Sequence, residues 1–410
     1  MPISRRGLLG SAAATLPILG ARPGRAQAGG TLKIGVLTDL SGPYQDITGS
    51  LAVAAAQLAT EDFGVAGKGF KAEVVQADHQ NKADIGAGIA RQWFDRDGVD
   101  VILEVANSAV GLAVAGVAKD KNKVYLNSGS ATSDLTGSAC NANTIHWVYD
   151  TYMLAKSTGG ALVKAGGDSW FFITADYTFG QALQRDVTGF VTEAGGKVVG
   201  SIKYPFPGTT DFSSVLLQAQ ASGAKILGLA NAGADTVNSI KQAHEFGLTP
   251  KMKLAGLLVF ISDVHSMGLP VAQGLVLTDS FYWDLNDRTR KFSERLKPKS
   301  PARRPTMVQA GVYSSALHYL KVAAAMGVVQ AKQDGAATVA QLKATPTDDD
   351  AFGAGTIRAD GRKLHPSYLW EVKTPAESKG PWDYYKPLAT TPADQAFRPM
   401  DKGGCALVRA

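Results

Sequence analysis

At 410 residues the chain is longer than one ordinary hydrophobic core organises, and two domains are the natural expectation. Hydrophobic residues at 45% and charged residues at 19% exclude a disordered or collagen-like chain. The formal charge of +6 falls to +2 once Arg5, Arg6, Arg22 and Arg25 at the N-terminus are set aside, and without a dense Lys/Arg run it excludes the electrostatic footprint of a nucleic-acid binder.

The first 28 residues read as an export signal. A basic start, Ser4-Arg5-Arg6-Gly7-Leu8-Leu9, leads into the Ala-rich apolar stretch Leu8–Leu19 and ends in Ala26-Gln27-Ala28, whose small residues at alternate positions suit signal peptidase. The paired arginines look like a twin-arginine signal, with a plain Sec signal as the alternative. The apolar stretch is shorter than the ~20 residues a membrane span needs. A soluble mature protein starting after Ala28, in the periplasm, is expected.

Thr31–Thr38 is a short β-branched run bounded by turn residues, the pattern of a buried strand. An Ala-rich helix from about Thr48 to Phe63 follows, then strand Phe70–Gln76, helix Ala83–Phe94, strand Asp100–Leu103, helix Ser108–Lys119 and strand Lys123–Asn127. Strands alternating with amphipathic helices imply a parallel sheet covered on both faces. The pattern restarts with helix Thr151–Lys164, strand Ser169–Thr174, helix Phe179–Ala194 and strand Lys197–Tyr204. It continues through Phe212–Ala221, Lys225–Leu229, Ala232–Phe246 and Lys253–Gly256. Beyond lie strand Gly274–Asp279, helices Arg288–Leu296 and Val308–Met326, and a hairpin of Gly355–Ile357 with Tyr368–Val372 about the turn Ala359-Asp360-Gly361. Residues Pro375–Arg398 read as an extended, proline-containing tail.

Two α/β units of similar size suggest two lobes facing each other across a cleft. Ligands of open α/β sheets sit beyond the carboxyl ends of strands. The loops to inspect are therefore Leu40–Thr48, Ala106–Ser108, Ser128–Thr132, Ala175–Phe179, Ala230–Gly233 and Val259–Ser262.

Catalytic signatures are missing: there is no Gly-x-Ser-x-Gly elbow, Walker loop, His-Glu-x-x-His or Cys-x-x-Cys. Gly64–Gly69 is glycine-rich but precedes a strand, which makes it a turn rather than a phosphate cradle. His79, His146, His244, His265, His318 and His365 are scattered, with no i, i+4 pair. No catalytic residue, metal or cofactor is expected, and a secreted α/β enzyme is the remote alternative. Cys140 and Cys405, an isolated pair in an exported chain, suit a disulfide tying the C-terminal segment to the first half, or else two buried thiols.

The chemistry concentrates in small hydroxyl residues at strand-to-helix turns. Asn127-Ser128-Gly129-Ser130-Ala131-Thr132 follows one strand, and Asn107-Ser108 follows its neighbour and opens a helix. Backbone N–H groups at a helix start, with hydroxyls beside them, make a carboxylate site without formal positive charge. Simple capping accounts for Ser108 equally well.

Lys33–Tyr44 (KIGVLTDLSGPY), Val99–Ser108 (VDVILEVANS), Ser128–Leu135 (SGSATSDL) and Ala175–Gly180 (ADYTFG) resemble, in order and spacing, the type I periplasmic binding proteins of ABC importers, in their branched-chain amino-acid-binding group. The resemblance runs from about Gly30 to Val372. It implies two Rossmann-like, doubly wound α/β lobes joined by a hinge of three chain crossings. Residues 30–149 with about 280–345 would form lobe 1, 150–279 with about 346–380 lobe 2, and 381–410 a C-terminal tail. It also implies a monomer that captures a small molecule and passes it to inner-membrane permease subunits.

The resemblance assigns the ligand carboxylate to Asn107 or Ser108 and to Ser130, Ala131 and Thr132, with Ser128 beside them. Phe179 matches the family's ligand-contacting aromatic, Tyr177 is an added one, and ordinary packing is the alternative for both. Amino-acid binders of the family carry an acid after the strand matching Lys225–Leu229, but here the turn is Ala230-Asn231-Ala232-Gly233. A desolvated ammonium without a charged partner is costly, so Asn231 suggests a hydroxyl or carbonyl partner instead. Tyr44, Trp147, Tyr177, Phe179, Phe260, Tyr282 and Trp283 fall in or near the cleft loops and suit an aromatic acid. The whole resembles the aromatic-acid-binding branch, which takes hydroxybenzoate and hydroxycinnamate ligands. Branched-chain amino acids, amides and urea are the alternatives, and an acid in the cleft (Asp46, Asp176 or Asp263) would favour the amino acid.

Overall fold

The computed structural model describes residues 30–249 and 251–408. The export signal and its cleavage point lie outside the described residues.

The first sheet contains β1 (Thr31–Thr38), β2 (Lys71–Asp78), β3 (Val101–Glu104), β4 (Val124–Asn127) and β5 (Thr144–His146), all parallel in the order β2-β1-β3-β4-β5. Alternation along the strands divides the core in two. Ile34, Val36, Val101 and Leu103 pack toward helices Gly49–Phe63 and Met307–Met326, whereas Leu37, Ile102 and Tyr125 pack toward helices Ala83–Gln92 and Ser108–Asp120. Alanines explain how Gly49–Phe63 and Met307–Met326 pack together: Ala52, Ala55, Ala56 and Ala310 are fully buried and let the helices approach.

The second sheet contains β6 (Ser169–Ala175), β7 (Lys197–Tyr204), β8 (Ile226–Ala230) and β9 (Lys253–Gly256), parallel in the order β7-β6-β8-β9. Its helices include Thr178–Glu193, Ser213–Ala221 and Ala234–Glu245. β6 is wholly buried because both of its faces are covered, which is why Ser-Trp-Phe-Phe-Ile-Thr-Ala shows no alternation.

Two smaller antiparallel sheets complete the chain. After β10 (Val276–Asp279), residues β11 (Thr347–Asp349), β12 (Gly353–Ile357) and β13 (Lys363–Leu364) form one sheet. β14 (Ser367–Val372) and β15 (Tyr385–Thr391) join β10 in the order β10-β14-β15. Two expectations change here. β12 pairs with β13 and not with β14, because the turn at 358–362 is tight and Pro366 redirects the chain. The segment read as tail contributes β15, whose partner is β14.

Arg362 ties the turn between β12 and β13 to the segment after β5. It is fully buried, pairs with Asp150 at 3.2 Å, donates to the Val148 carbonyl and lies 4.4 Å over the Phe397 ring. Burial lowers its pKa to about 10, so it stays charged. Cys140 and Cys405 are joined in a disulfide with their Cα atoms 5.6 Å apart. No helix among the described residues is long and apolar enough to cross a membrane.

Candidate functional site

The carboxyl ends of both parallel sheets meet at one interior cavity. Asp39, just after β1, shapes the first loop: its carboxylate accepts from the backbone N–H groups of Gly42 at 2.6 Å and Tyr44 at 2.8 Å, and from Asn81 Nδ2 at 2.7 Å. That turn aims Tyr44 at the opposite lobe. Its ring stacks on Phe206 (5.4 Å), which stacks on Tyr177 (4.3 Å), and the Tyr44 and Tyr177 hydroxyls stand 2.5 Å apart across the cleft. Burial pushes both phenols well above their ordinary pKa.

The wall is aromatic, made by Tyr44, Tyr149, Tyr177 and Phe179, with Ile47, Ala131, Ala232 and Leu258 filling between them. Ala106 and Gly129 complete it. The space left inside is about 10 Å³, roughly one water. Backbone contacts close the rim: Ala234 N–H donates to the Pro43 carbonyl at 3.1 Å. Gly233, at φ +60°, makes this approach feasible, since a Cβ there would lie 2.5 Å from the Pro43 carbonyl oxygen.

The residues expected at the site divide into three groups. Tyr44, Ala131, Tyr177 and Phe179 line the cavity. Asn107, Ser108, Ser130 and Thr132 gather at its edge but point their side chains at the backbone. Asn107 caps helix Ser108–Asp120, Ser108 Oγ accepts from the N–H groups of Ala131 and Thr132 at 3.2 Å, Ser130 Oγ donates to the Val105 and Asn107 carbonyls, and Thr132 caps the following turn. Phe260 stands behind the wall, edge-on to Tyr149 at 5.9 Å.

Ser128, Trp147, Asn231 and Tyr282 stand away from the cavity. Ser128 packs under helix Met307–Met326, as its Cβ would lie 2.9 Å from a side chain at Gly311. Trp147 Nε1 donates to Ser314 Oγ at 2.8 Å, and both residues are buried. Asn231 turns into its own lobe, donating to Ser239 and accepting from Thr236. Tyr282 and Trp283 line a separate surface hollow of about 650 Å³ beside β14 and β15. That hollow is larger but lies away from the strand ends, where open α/β sheets place their ligands. Trp147 and Tyr282 sit in these places because aromatic residues near strand ends are also good packing units.

The acids suggested for the cleft are elsewhere. Asp46 pairs with Arg303, Asp176 with Lys203, and Asp263 caps the helix that starts after Phe260. Two other carboxyls come close. Asp235 accepts from the Tyr204 hydroxyl at 2.8 Å, and burial raises its pKa to about 6. Glu104, at the end of β3, is fully buried, and a Cβ on Gly129 would lie 2.2 Å from its Oε1. Sequence reasoning chose the loops holding Ile47, Ala106, Gly129 and Ala232 without naming those residues, and missed Tyr149, Leu258 and Glu104 altogether. For Glu104 the signal was present: an acid ending the buried run Val-Ile-Leu. No group of three or more metal-ligating side chains occurs among the described residues.

Two parallel α/β lobes closing their strand ends over one small aromatic cavity define a two-lobed binding protein. Residues 31–381 match the family model described as periplasmic binding protein, and the chain belongs to that family. Its members in ABC importers bind small molecules and deliver them to membrane permeases. A periplasmic binding protein from Burkholderia mallei is 50% identical, with a TM-score of 0.89, covering 92% of this chain and 99% of that one. A branched chain amino acid ABC transporter periplasmic ligand-binding protein from Burkholderia xenovorans is 40% identical, with a TM-score of 0.79 and the same coverage of 92% and 99%. An ABC transporter solute binding protein from R. palustris in complex with benzoate shares the fold at 20% identity, with a TM-score of 0.80 over 92% of this chain and 99% of that one.

Proposed function

We propose that this protein captures a small aromatic carboxylate, of the hydroxybenzoate or hydroxycinnamate kind, and that its closed form docks on the inner-membrane permease of an ABC importer. The observation that carries this reading is the composition of the cavity wall: four aromatic side chains, five aliphatic ones and a glycine, with no charged side chain among those that line it. A planar ring inserted between Tyr44, Tyr149, Tyr177 and Phe179 gains stacking and apolar burial together. The N–H groups of Ala131 and Thr132, now facing Ser108 Oγ, are the donors placed to take the ligand's carboxylate.

The cavity at about 10 Å³ is far too small for such a ligand while Tyr44 and Tyr177 touch. Entry therefore requires the lobes to part, and closure around the ligand is a population shift driven by contacts with both lobes. The R. palustris protein in complex with benzoate supports the aromatic reading through its shared fold. Asp235, beside the cleft, favours a second reading, a branched-chain amino acid, in keeping with the description of the Burkholderia xenovorans relative.

A thermal-shift screen of the mature protein against benzoates, cinnamates, aliphatic amino acids, amides and urea separates them, because binding to the folded state raises the melting temperature by linkage. Shifts confined to aromatic acids are expected. A shift with leucine or valine and none with benzoates would replace the aromatic reading with the amino-acid one.

A further inference from the structure

Among the buried carboxyls of the described residues, Glu104 is the one with no hydrogen-bond partner to account for its position. It ends β3 with φ at +77°, and Val105 follows at +66°. Two successive non-glycine residues in the left-handed region are strained, and such strain clusters at functional sites. The side chain is fully buried, yet neither carboxyl oxygen has a hydrogen-bond partner among the described residues. Its Oε1 occupies the space a side chain at Gly129 would need, and lies against the two wall positions that present only backbone or a methyl group, Gly129 and Ala106. The carboxyl is thus behind the thinnest part of the cavity wall.

The groups around it are acidic or neutral. Asp39 after β1 adds a like charge, while Tyr125 on β4 and Tyr149 after β5 are the nearest phenols. Burial lifts its pKa to about 8, and the nearby Thr38 hydroxyl and Val105 and Ala106 backbone, too poorly placed to bond either oxygen, offset this only in part. At neutral pH the group therefore carries its proton, with an unused O–H donor beside the cavity.

We propose that Glu104 contacts the ligand as an uncharged carboxyl, donating a hydrogen bond to an anionic oxygen of the solute, so that the cleft selects a carboxylate over an ammonium. The inference rests on the aromatic-carboxylate reading and adds to it the residue that sets the charge preference. A carboxylic acid facing a carboxylate forms a short charge-assisted hydrogen bond. An ammonium would instead require Glu104 to ionise in a buried site. Glu104 and an anionic ligand cannot both be charged at this distance without strong repulsion, so the ligand holds the proton on Glu104 and is released when that proton is lost.

The test uses benzoate and L-leucine as probes, with calorimetric titration of the mature protein from about pH 6 to about pH 10. Benzoate affinity is expected to be level up to about pH 8 and then to fall toward tenfold per pH unit. Glu104→Gln keeps an N–H donor and should show a level profile, while Glu104→Leu should bind benzoate at least ~10-fold more weakly at pH 7. An infrared difference spectrum, wild type minus Glu104→Gln, should contain a carboxylic-acid carbonyl band at pH 7 that shifts when benzoate is added. A wild-type benzoate profile that stays level to pH 10, or a band that ignores benzoate, overturns the role of Glu104 while leaving the aromatic reading intact. Leucine binding that strengthens as pH rises through about 8, with no benzoate binding, overturns both. The wild-type profile needs no variant to fold.

Discussion

Glu104 carries a stability signature as well as a binding one. Its folded pKa, about 8, stands above the ordinary glutamate value of 4.5, so the native state retains a proton that the unfolded chain releases. The stability allowed by this neutral carboxyl is complete below about pH 4.5 and is lost as pH rises through about 8. Asp263 and Asp279 are also raised by burial, to about 7 and about 8, and titrate in the same direction. The difference between wild type and Glu104→Gln removes their contribution. The melting temperature of wild type relative to Glu104→Gln is therefore expected to decline by several degrees between about pH 4.5 and about pH 8, by differential scanning fluorimetry. A difference that does not vary with pH would mean Glu104 is already ionised in the fold. The acid closing Val-Ile-Leu marks the position in the sequence but not its buried, neutral state, because hydrophobic periodicity does not say which strand ends are covered by neighbouring loops.

At the scale of elements, the C-terminal region is held by three separate devices. β15 pairs with β14, the Cys140–Cys405 disulfide closes a sequence separation of 265 residues, and Arg398 donates to the Ser133 carbonyl at 2.8 Å while its own carbonyl accepts from Arg358. A crosslink over so long a loop acts mainly on the unfolded chain, and its loss costs ~2–5 kcal/mol. The double variant Cys140→Ala, Cys405→Ala should lower stability in urea by that amount without altering far-ultraviolet circular dichroism. Unchanged stability would show that strand pairing and the Arg398 contacts hold the segment alone. The β15 strand was hard to read because Pro387 and the exposed Leu388 interrupt its alternation. It is an edge strand, where proline is tolerated and only one side of the ladder must pair. β5, three residues long, lacks the apolar run that marks a buried strand and is recognisable only from its pairing with β4.

For the whole molecule, the proposed opening and closing of the lobes would turn on how closely the loops after β1 and β8 approach. The Tyr44–Tyr177 contact, the stack through Phe206 and the Ala234–Pro43 hydrogen bond are all made across the cleft. Gly233 lies outside the aromatic wall, yet its substitution should act on closure. In Gly233→Ala the new Cβ meets the Pro43 carbonyl oxygen, and the positive φ disfavours any L side chain. The expected result is a larger radius of gyration by small-angle X-ray scattering, and weaker binding of whichever solute the thermal-shift screen identifies. An unchanged radius would mean that the rim contact does not govern closure.

The sequence by itself determined the two α/β units, the alternation of strands and helices, and the loops at which a ligand would sit. Hydrophobic period and turn chemistry are local properties, and strand polarity then dictates which ends carry the site. Eight of the ten residues around the cavity fall within the loops chosen on that basis. Only the tertiary structure decided which side chain within each loop faces inward. It turned Asn231 and Trp147 into their own lobes, placed Tyr282 in another hollow, brought Tyr149 into the wall and set Glu104 behind Gly129. The physical reason is that burial of a polar or aromatic side chain depends on partners far apart in sequence. Trp147 meets Ser314, Tyr44 meets Tyr177, and Arg362 meets Asp150, and no local pattern encodes any of those pairs.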